Sequence, residues 1–461
     1  MSSPATAVAN IHSVSPRQRY MAMAALMSAV TLATLDTTIS NTALPQIARE
    51  LQSSEASIIW VTNAYQIAMI AALLPLASSG EAIGYRRIYV LGLTLFTIAS
   101  IVCGTADSFD WVIAGRVLQG VGAAAIMSVN TAFIRHIYPV AQLGRGLSLN
   151  ALVVALGFTL GPPLASSILS VATWHWLFLF NVPVGIISLP LSLWFLPNLE
   201  GTRTPCDFAT GSSCAAFLGF LAFGFCALAN GFGQLWIILA ASACAISLAI
   251  LLKLQSGHPA PMLPVDLMRK PVIGLSSLTS VCAFSTQSLA FVSLPFFLQS
   301  TIGISIVSTG ALLTTWSLVV AAMAVVVRPL TDKLSPGTLC SAGLLILSVG
   351  MVALARTPLA ATHADVVFRL AICGVGFGLY QAPNMKAIMG NAPPHRSGGA
   401  SGIVAISRLM GQAVGAALVA QCFHAWGKDG PTVALWLGGA TATIGFVFSA
   451  LRLKSKERVA P

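Results

Sequence analysis

The stretch Leu35-Asp36-Thr37-Thr38-Ile39-Ser40-Asn41-Thr42-Ala43-Leu44-Pro45 continues the apolar run Met21-Ala22-Met23-Ala24-Ala25-Leu26-Met27. The joined segment, Met21–Pro45, is long enough to cross a bilayer as a helix, which takes about 20 residues. Asp36 lies inside it. A carboxylate near the centre of a membrane helix costs roughly 2.5–3.5 kcal/mol to insert. A charge kept at that cost reads as a functional group. The chemistry open to a lone carboxylate in oil is the uptake and release of a proton.

The rest of the chain repeats the apolar pattern. Of 461 residues, 56% are hydrophobic and only 8% charged, with a mean hydropathy of +0.85. A soluble chain carries about 25% charged residues, so the class is an all-α polytopic membrane protein without a large soluble domain. The first 20 residues are polar and have no cleavable-signal pattern, so the first span is expected to direct its own insertion. Most of the nine cysteines lie in apolar runs, where a free thiol acts as a small hydrophobe. The seven histidines show no metal-ligand spacing. The expectation is no metal and no cofactor.

Windows of about 19 residues give fourteen spans: 21–45, 58–78, 88–106, 110–134, 147–170, 176–196, 208–229, 235–254, 272–298, 304–327, 339–355, 364–382, 398–423 and 432–451. With the N-terminus inside, the inner loops hold Arg17, Arg19, Arg86, Arg87, Arg135, Arg145 and a dozen further Lys and Arg, while the outer loops hold Arg49, Arg356 and Lys428. Positive residues stay inside. Both termini are therefore expected in the cytoplasm and the protein in the cell (inner) membrane. The net charge of +11 is mainly this topology signal. It is spread over short loops and does not form a nucleic-acid patch.

Gly120-Val121-Gly122 with Asn130 recurs as Gly374-Val375-Gly376 with Asn384, and Gly157 with Gly161 recurs as Gly411 with Gly415. Each pair is 254 residues apart, as 120 to 374 shows. Helices four and five thus match helices twelve and thirteen in the same direction, a parallel repeat of two six-helix halves. The expected organisation is a tail over 1–20, a bundle over 21–197, two inserted helices with linkers over 198–271, a second bundle over 272–451 and a tail over 452–461.

Several residues then stand out. The loop after the second helix holds Glu81, Arg86 and Arg87, and its second-half counterpart holds Asp332 and Lys333. An acid there caps a helix N-terminus and pairs with a neighbouring cation, contacts of roughly 1–2 kcal/mol that can bias a rocking equilibrium. Plain topology charge is the alternative. Arg116 lies about 9 Å into the fourth helix and Asp36 about 13 Å from Pro45, at 1.5 Å per residue. At such close depths Arg116 can hold Asp36 ionised or release it, since burial favours the neutral acid and a nearby cation the charged one. The alternative is an Arg that bonds backbone carbonyls and locks two helices. Gly120, Gly157, Gly161, Pro162 and Pro163 suit close helix approach. Asn63, Tyr65, Gln287, Phe291, Trp316, Gln381 and Arg408, with Asp36, form a candidate amphipathic substrate cavity, each also readable as a packing residue. There is no Gly-x-x-x-x-Gly-Lys-Ser/Thr loop, which argues against ATP as the energy source, and no paired nucleophile and base for an enzyme.

These residues resemble the fourteen-helix drug:proton antiporter branch of the major facilitator superfamily. The resemblance runs through Leu35-Asp36-Thr37-Thr38, Trp60-Val61-Thr62-Asn63-Ala64-Tyr65, Gly84-Tyr85-Arg86-Arg87, Arg116 with Gln119-Gly120-Val121-Gly122, and Gly161-Pro162-Pro163. It continues in Trp174-His175-Trp176, Asn181-Val182-Pro183-Val184-Gly185 and Gln381-Ala382-Pro383-Asn384. It covers nearly the full length and implies export of toxic lipophilic or cationic compounds in exchange for protons. Glu81 stands where the family usually has Asp, and His175 where it usually has Arg. The same fold could instead export one metabolite such as a siderophore, peptide or organic acid, and Arg408 would suit an anion. The partners expected are the lipid bilayer, protons and a small-molecule substrate, with the protein a monomer. One intramembrane carboxylate implies one proton per cycle and a preference for monovalent or neutral compounds.

Overall fold

The structure is a computed structural model that describes residues 16–139, 142–199, 207–229, 231–257, 261–331, 333–393 and 396–454. Its long helices are α1 Pro16–Glu50, α2 Trp60–Ile83, α3 Tyr85–Gly104, α4 Phe109–Ile137, α5 Leu143–Val171, α6 Asn181–Phe195 and α7 Phe208–Ala229. They continue as α8 Gln234–Leu254, α9 Pro271–Phe296, α10 Ile306–Leu330, α11 Pro336–Ala355, α12 His363–Gly390, α13 Ser397–Trp426 and α14 Gly430–Lys454. Thirteen stretches among the described residues are long and apolar enough to cross a membrane. The last, Ser397–Leu453, is 57 residues long and holds both α13 and α14, joined by the single turn Gly427–Asp429. The architecture is all-helical, as the hydropathy implies.

Only helices satisfy their own backbone in lipid, and the polar residues of α1 obey the same need. The hydroxyls of Thr31, Thr34, Thr37 and Thr42 each donate to the carbonyl four residues back, at 2.8, 2.9, 3.1 and 3.0 Å. The threonine-rich run therefore stays helical in an apolar setting. The expected sixth span is broken. A short helix, His175–Leu179, precedes α6.

The packing repeats at an offset of eight helices. In the first set α1 packs on α5 and α6, and α4 on α2 and α3. In the second, α9 packs on α13 and α14, and α12 on α10 and α11. The two sets meet along α1 with α9, α5 with α10, and α2 with α13. Helix α7 lies on both α2 and α13, with Trp60 of α2 meeting Phe223 of α7 at 6.1 Å and Phe232 just after α7 at 5.8 Å, whereas α8 leans on α7. Only 17% of the α8 apolar window is buried, against 78% for α1. Its Leu235, Ile238 and Ile246 are exposed apolar side chains that require lipid around them.

The terminal end, where α1 begins and α14 ends, differs from the distal end. Distally, Leu44 and Ile47 of α1 share one apolar cluster with Leu289, Val292 and Phe296 of α9 and with Phe423 of α13. The α5–α10 seam is tight on that side. A Cβ on Gly310 would lie 2.6 Å from the Pro162 carbonyl, and Ser317 Oγ donates to the Phe158 carbonyl at 3.3 Å. Towards the terminal end the same two helices expose Leu149, Leu152, Val325 and Val326.

Candidate functional site

The polar centre lies inside the first helix set. Asp36 Oδ2 accepts from Arg116 Nη1 at 2.5 Å. Asp36 Oδ1 accepts from Asn181 Nδ2 at 2.9 Å and Gln119 Nε2 at 3.3 Å. Arg116 Nη1 also donates to Gln119 Oε1 at 2.8 Å, and Arg116 Nε to the Val61 carbonyl at 3.0 Å. Ser100 Oγ accepts from Gln119 Nε2 at 2.9 Å. The Arg116 guanidinium lies 4.3 Å from the Tyr65 ring centroid, a cation–π contact. Asp36 and Arg116 are each 1% exposed.

Local sequence explains how α4 brings Arg116 to this point. A Cβ on Gly120 would fall 2.4 Å from the Tyr65 carbonyl, and one on Gly115 2.4 Å from Cys103 Sγ. Glycine at both places lets α4 close onto α2 and α3, so Arg116 reaches the Val61 carbonyl and the α1 carboxylate together. An ion pair this deep is stable only with its remaining valences filled. Gln119, Asn181 and the Val61 carbonyl fill them. Spacing alone did not assign roles to Gln119, Asn181 or Ser100. The available signals were that Gln119 follows Arg116 by three residues, hence on the same helix face, and that Asn181 opens one of the runs quoted above.

Among the described residues the second set has no copy of this centre. At the repeat distance of 254 residues, Leu370 stands for Arg116 and Cys373 for Gln119, both fully buried. The glycine contacts do repeat. Gly157 and Gly161 face Thr34 and Thr38 of α1, and Gly411 and Gly415 face the Val281 and Ser285 carbonyls of α9. Gly157 and Gly161 therefore close α5 onto α1 within one set, and the seam between the sets relies on Gly310 instead. The Pro163 carbonyl accepts from Ser166 and Ser167 at 3.1 and 2.7 Å.

A cavity opens between the sets, with Thr34, Thr37, Tyr65, Gln66, Arg408 and Gln412 in its polar wall. It holds about 30 Å³ here, room for a water or two. Tyr65 and Arg408 of the expected substrate residues line it, and Asp36 does not. Phe291 and Trp316 pack edge to face at 5.5 Å in an aromatic cluster with Phe284, Phe377 and Tyr380 inside the second set. Gln287 is half-buried on α9, Gln381 is exposed, and Asn63 is fully buried with both amide atoms lacking a hydrogen-bond partner.

Of the expected gate, Glu81 and Arg87 are exposed and Arg86 half-buried where α2 turns into α3 at Gly84, whose φ of +108° only glycine tolerates readily. Lys333 is exposed, and Asp332 lies outside the described residues. A pair that sequence reasoning did not single out, Arg396 with Asp266 at 2.8 Å, ties the start of α13 to the turn before α9.

A sequence model of the Major Facilitator Superfamily matches residues 26–416 and 273–460. The "Uncharacterized transporter YebQ" of Escherichia coli (strain K12) is 43% identical over 441 residues, 95% of this chain and 96% of that protein. The "Riboflavin transporter RibZ" of Clostridioides difficile (strain 630) is 25% identical over 88% of this chain and 89% of that protein. The "Multidrug resistance protein Stp" of Mycobacterium tuberculosis (strain CDC 1551 / Oshkosh) is 27% identical over 85% and 73%. Among solved structures, a peptide transporter POT in complex with sulfate superposes with a TM-score of 0.72 at 14% identity, over 94% of each chain. At that identity the likeness concerns the fold alone.

Proposed function

This chain belongs to the major facilitator superfamily and is a membrane transporter, not an enzyme, and on that footing we propose that it is a proton-coupled exporter of toxic amphipathic small molecules, working by alternating access. One observation supports the reading above others: a single helix, α1, holds the buried carboxylate, lines the cavity and closes the distal end. Asp36 is held by residues of α4 and α6, Thr34 and Thr37 face the cavity, and Leu44 and Ile47 pack against α9.

In this scheme the present state is the one with Asp36 ionised, the distal side shut, and α5 and α10 apart at the cytoplasmic end. Protonation removes the charge that Arg116 neutralises. A buried pair that loses one charge is destabilised by about 3–5 kcal/mol, enough to release α1 from α4 and α6. Movement of α1 then reshapes the cavity and the distal seal together. Both termini lie in the cytoplasm and the protein in the inner membrane. Glu81, Arg86, Arg87, Asp332 and Lys333 close the cytoplasmic side when the halves rock.

The test compares wild type, Asp36→Asn and Asp36→Glu for resistance in cells and for pH-driven drug movement in inverted vesicles. The expected result is loss with Asn and partial activity with Glu. Undiminished pH-driven transport by Asp36→Asn would overturn the assignment. A same-fold exporter of one organic acid is the second reading, favoured by Arg408 in the cavity wall.

A further inference from the structure

The cavity between the two helix sets has a charge of its own. Arg408 lines it from α13, and its Nε has no hydrogen-bond partner. Among the described residues no carboxylate lines this cavity. Both oxygens of Asp36 are already taken by Arg116, Asn181 and Gln119. Gln66 Oε1, in the same wall, also lacks a partner. The remaining wall is apolar and polarizable, with Met69, Met127 and Phe158. A cation entering this space would meet a guanidinium with no acid to offset it. An anion would find a charged donor in a low-dielectric setting, where an unmatched charge is costly and a matched one strong.

Resting on the exporter reading above, we propose that the substrates are amphipathic organic anions, bound once the two halves part and the present space of about 30 Å³ widens, with the acidic group on Arg408, a hydrogen-bond donor of the same molecule on Gln66 and the ring system on Met69, Met127 and Phe158. Arg408 Nε and Gln66 Oε1 are buried without partners beside the present narrow space, a donor and an acceptor left over for a bound molecule when that space widens. This reading departs from the lipophilic or cationic cargo that the resemblance implies.

The test measures thermal stabilisation of the purified full chain by probes that share a skeleton and differ in charge: fluorescein against rhodamine 123, and 2-naphthoate against 2-naphthylmethylammonium. A ligand stabilises only the state it binds. The acids are expected to raise the melting temperature of the wild type and the ammonium compounds to leave it unchanged. Arg408→Gln is expected to abolish the shift and Arg408→Lys to keep part of it. Stabilisation by the cationic members as strong as by the acids, stabilisation by neither, or an unchanged acid response in Arg408→Gln would each overturn the proposal. If Arg408→Gln does not fold, the wild-type comparison and Arg408→Lys decide alone. The same assay on Asp36→Asn separates the two readings. Acid binding that survives while pH-driven transport is lost supports both. Acid binding with undiminished pH-driven transport leaves the substrate class standing and removes the proton role of Asp36.

Discussion

Asp36→Asn leaves the Arg116 guanidinium buried and charged, with its counter-ion replaced by an amide. The Gln119 and Asn181 amides already donate to Oδ1, and Arg116 to Oδ2, so the new NH2 group must point at a donor. The expected destabilisation is about 3–5 kcal/mol, the cost of breaking a buried pair from one side. Arg116→Leu alone is milder, about 1–3 kcal/mol, because Asp36 keeps two neutral donors and can bind a proton. The double variant Asp36→Asn, Arg116→Leu places no charge in the centre and gives α4 the residue that its repeat partner has, Leu370. The two losses should therefore not add, and a coupling of at least about 2 kcal/mol is expected. Unfolding midpoints in matched micelles should place Asp36→Asn lowest and return the double variant more than halfway to wild type, while pH-driven transport stays absent in both. A double variant as unstable as the sum of the single losses would refute the view that pairing, and not shape, holds this centre.

Other outcomes follow from the same contacts. Gly157→Ala puts a Cβ 2.2 Å from Thr34 Oγ1, and adding Thr34→Ala should recover much of the loss; Gly411→Ala meets the Val281 backbone carbonyl at 2.5 Å, and trimming side chains should not rescue it. Both single changes are expected to cost about 1–3 kcal/mol, read as unfolding midpoints. Asn181→Leu removes one donor from the Asp36 carboxylate and should lower stability by about 1–3 kcal/mol and depress transport, with Asn181→Ser between. Asp266→Asn breaks a pair whose acid is 46% exposed and should shift stability by less than about 1 kcal/mol. If one organic anion leaves for each proton that enters, two charges move, about 4.6 kcal/mol at 100 mV from roughly 2.3 per charge. A potassium-diffusion potential imposed on proteoliposomes should then accelerate transport, and a rate indifferent to that potential would exclude this exchange.

Asp36 and Arg116 were legible because a charge inside an apolar run is conspicuous at any helix rotation. The glycine contacts were legible because they recur at one offset. Hydropathy gives a residue's height in the membrane but not its direction around the helix axis. Trp316, Phe291 and Arg408 all read as deep, yet the two aromatics face the interior of their own bundle and the arginine faces the cavity. Gln119, Asn181 and Ser100 are neutral residues whose importance lies in their partners, which for the Gln119–Ser100 and Asn181–Asp36 bonds sit 19 and 145 positions away. The break before α6 and the extension of α1 to Glu50 escaped for a related reason, since mean hydropathy over 19 residues smooths over helix ends.

Helix α7 spans the join between α2 and α13, while among the described residues neither inserted helix packs closely on the opposite join between α5 and α10. The molecule is thus strapped along one flank and bare along the other. If the two sets rock, the α7 contacts with α2 and α13 restrain the strapped flank and leave the bare flank the freer of the two. Exposed Leu152 and Val325 give that bare flank a greasy face towards the lipid tails, near the terminal end.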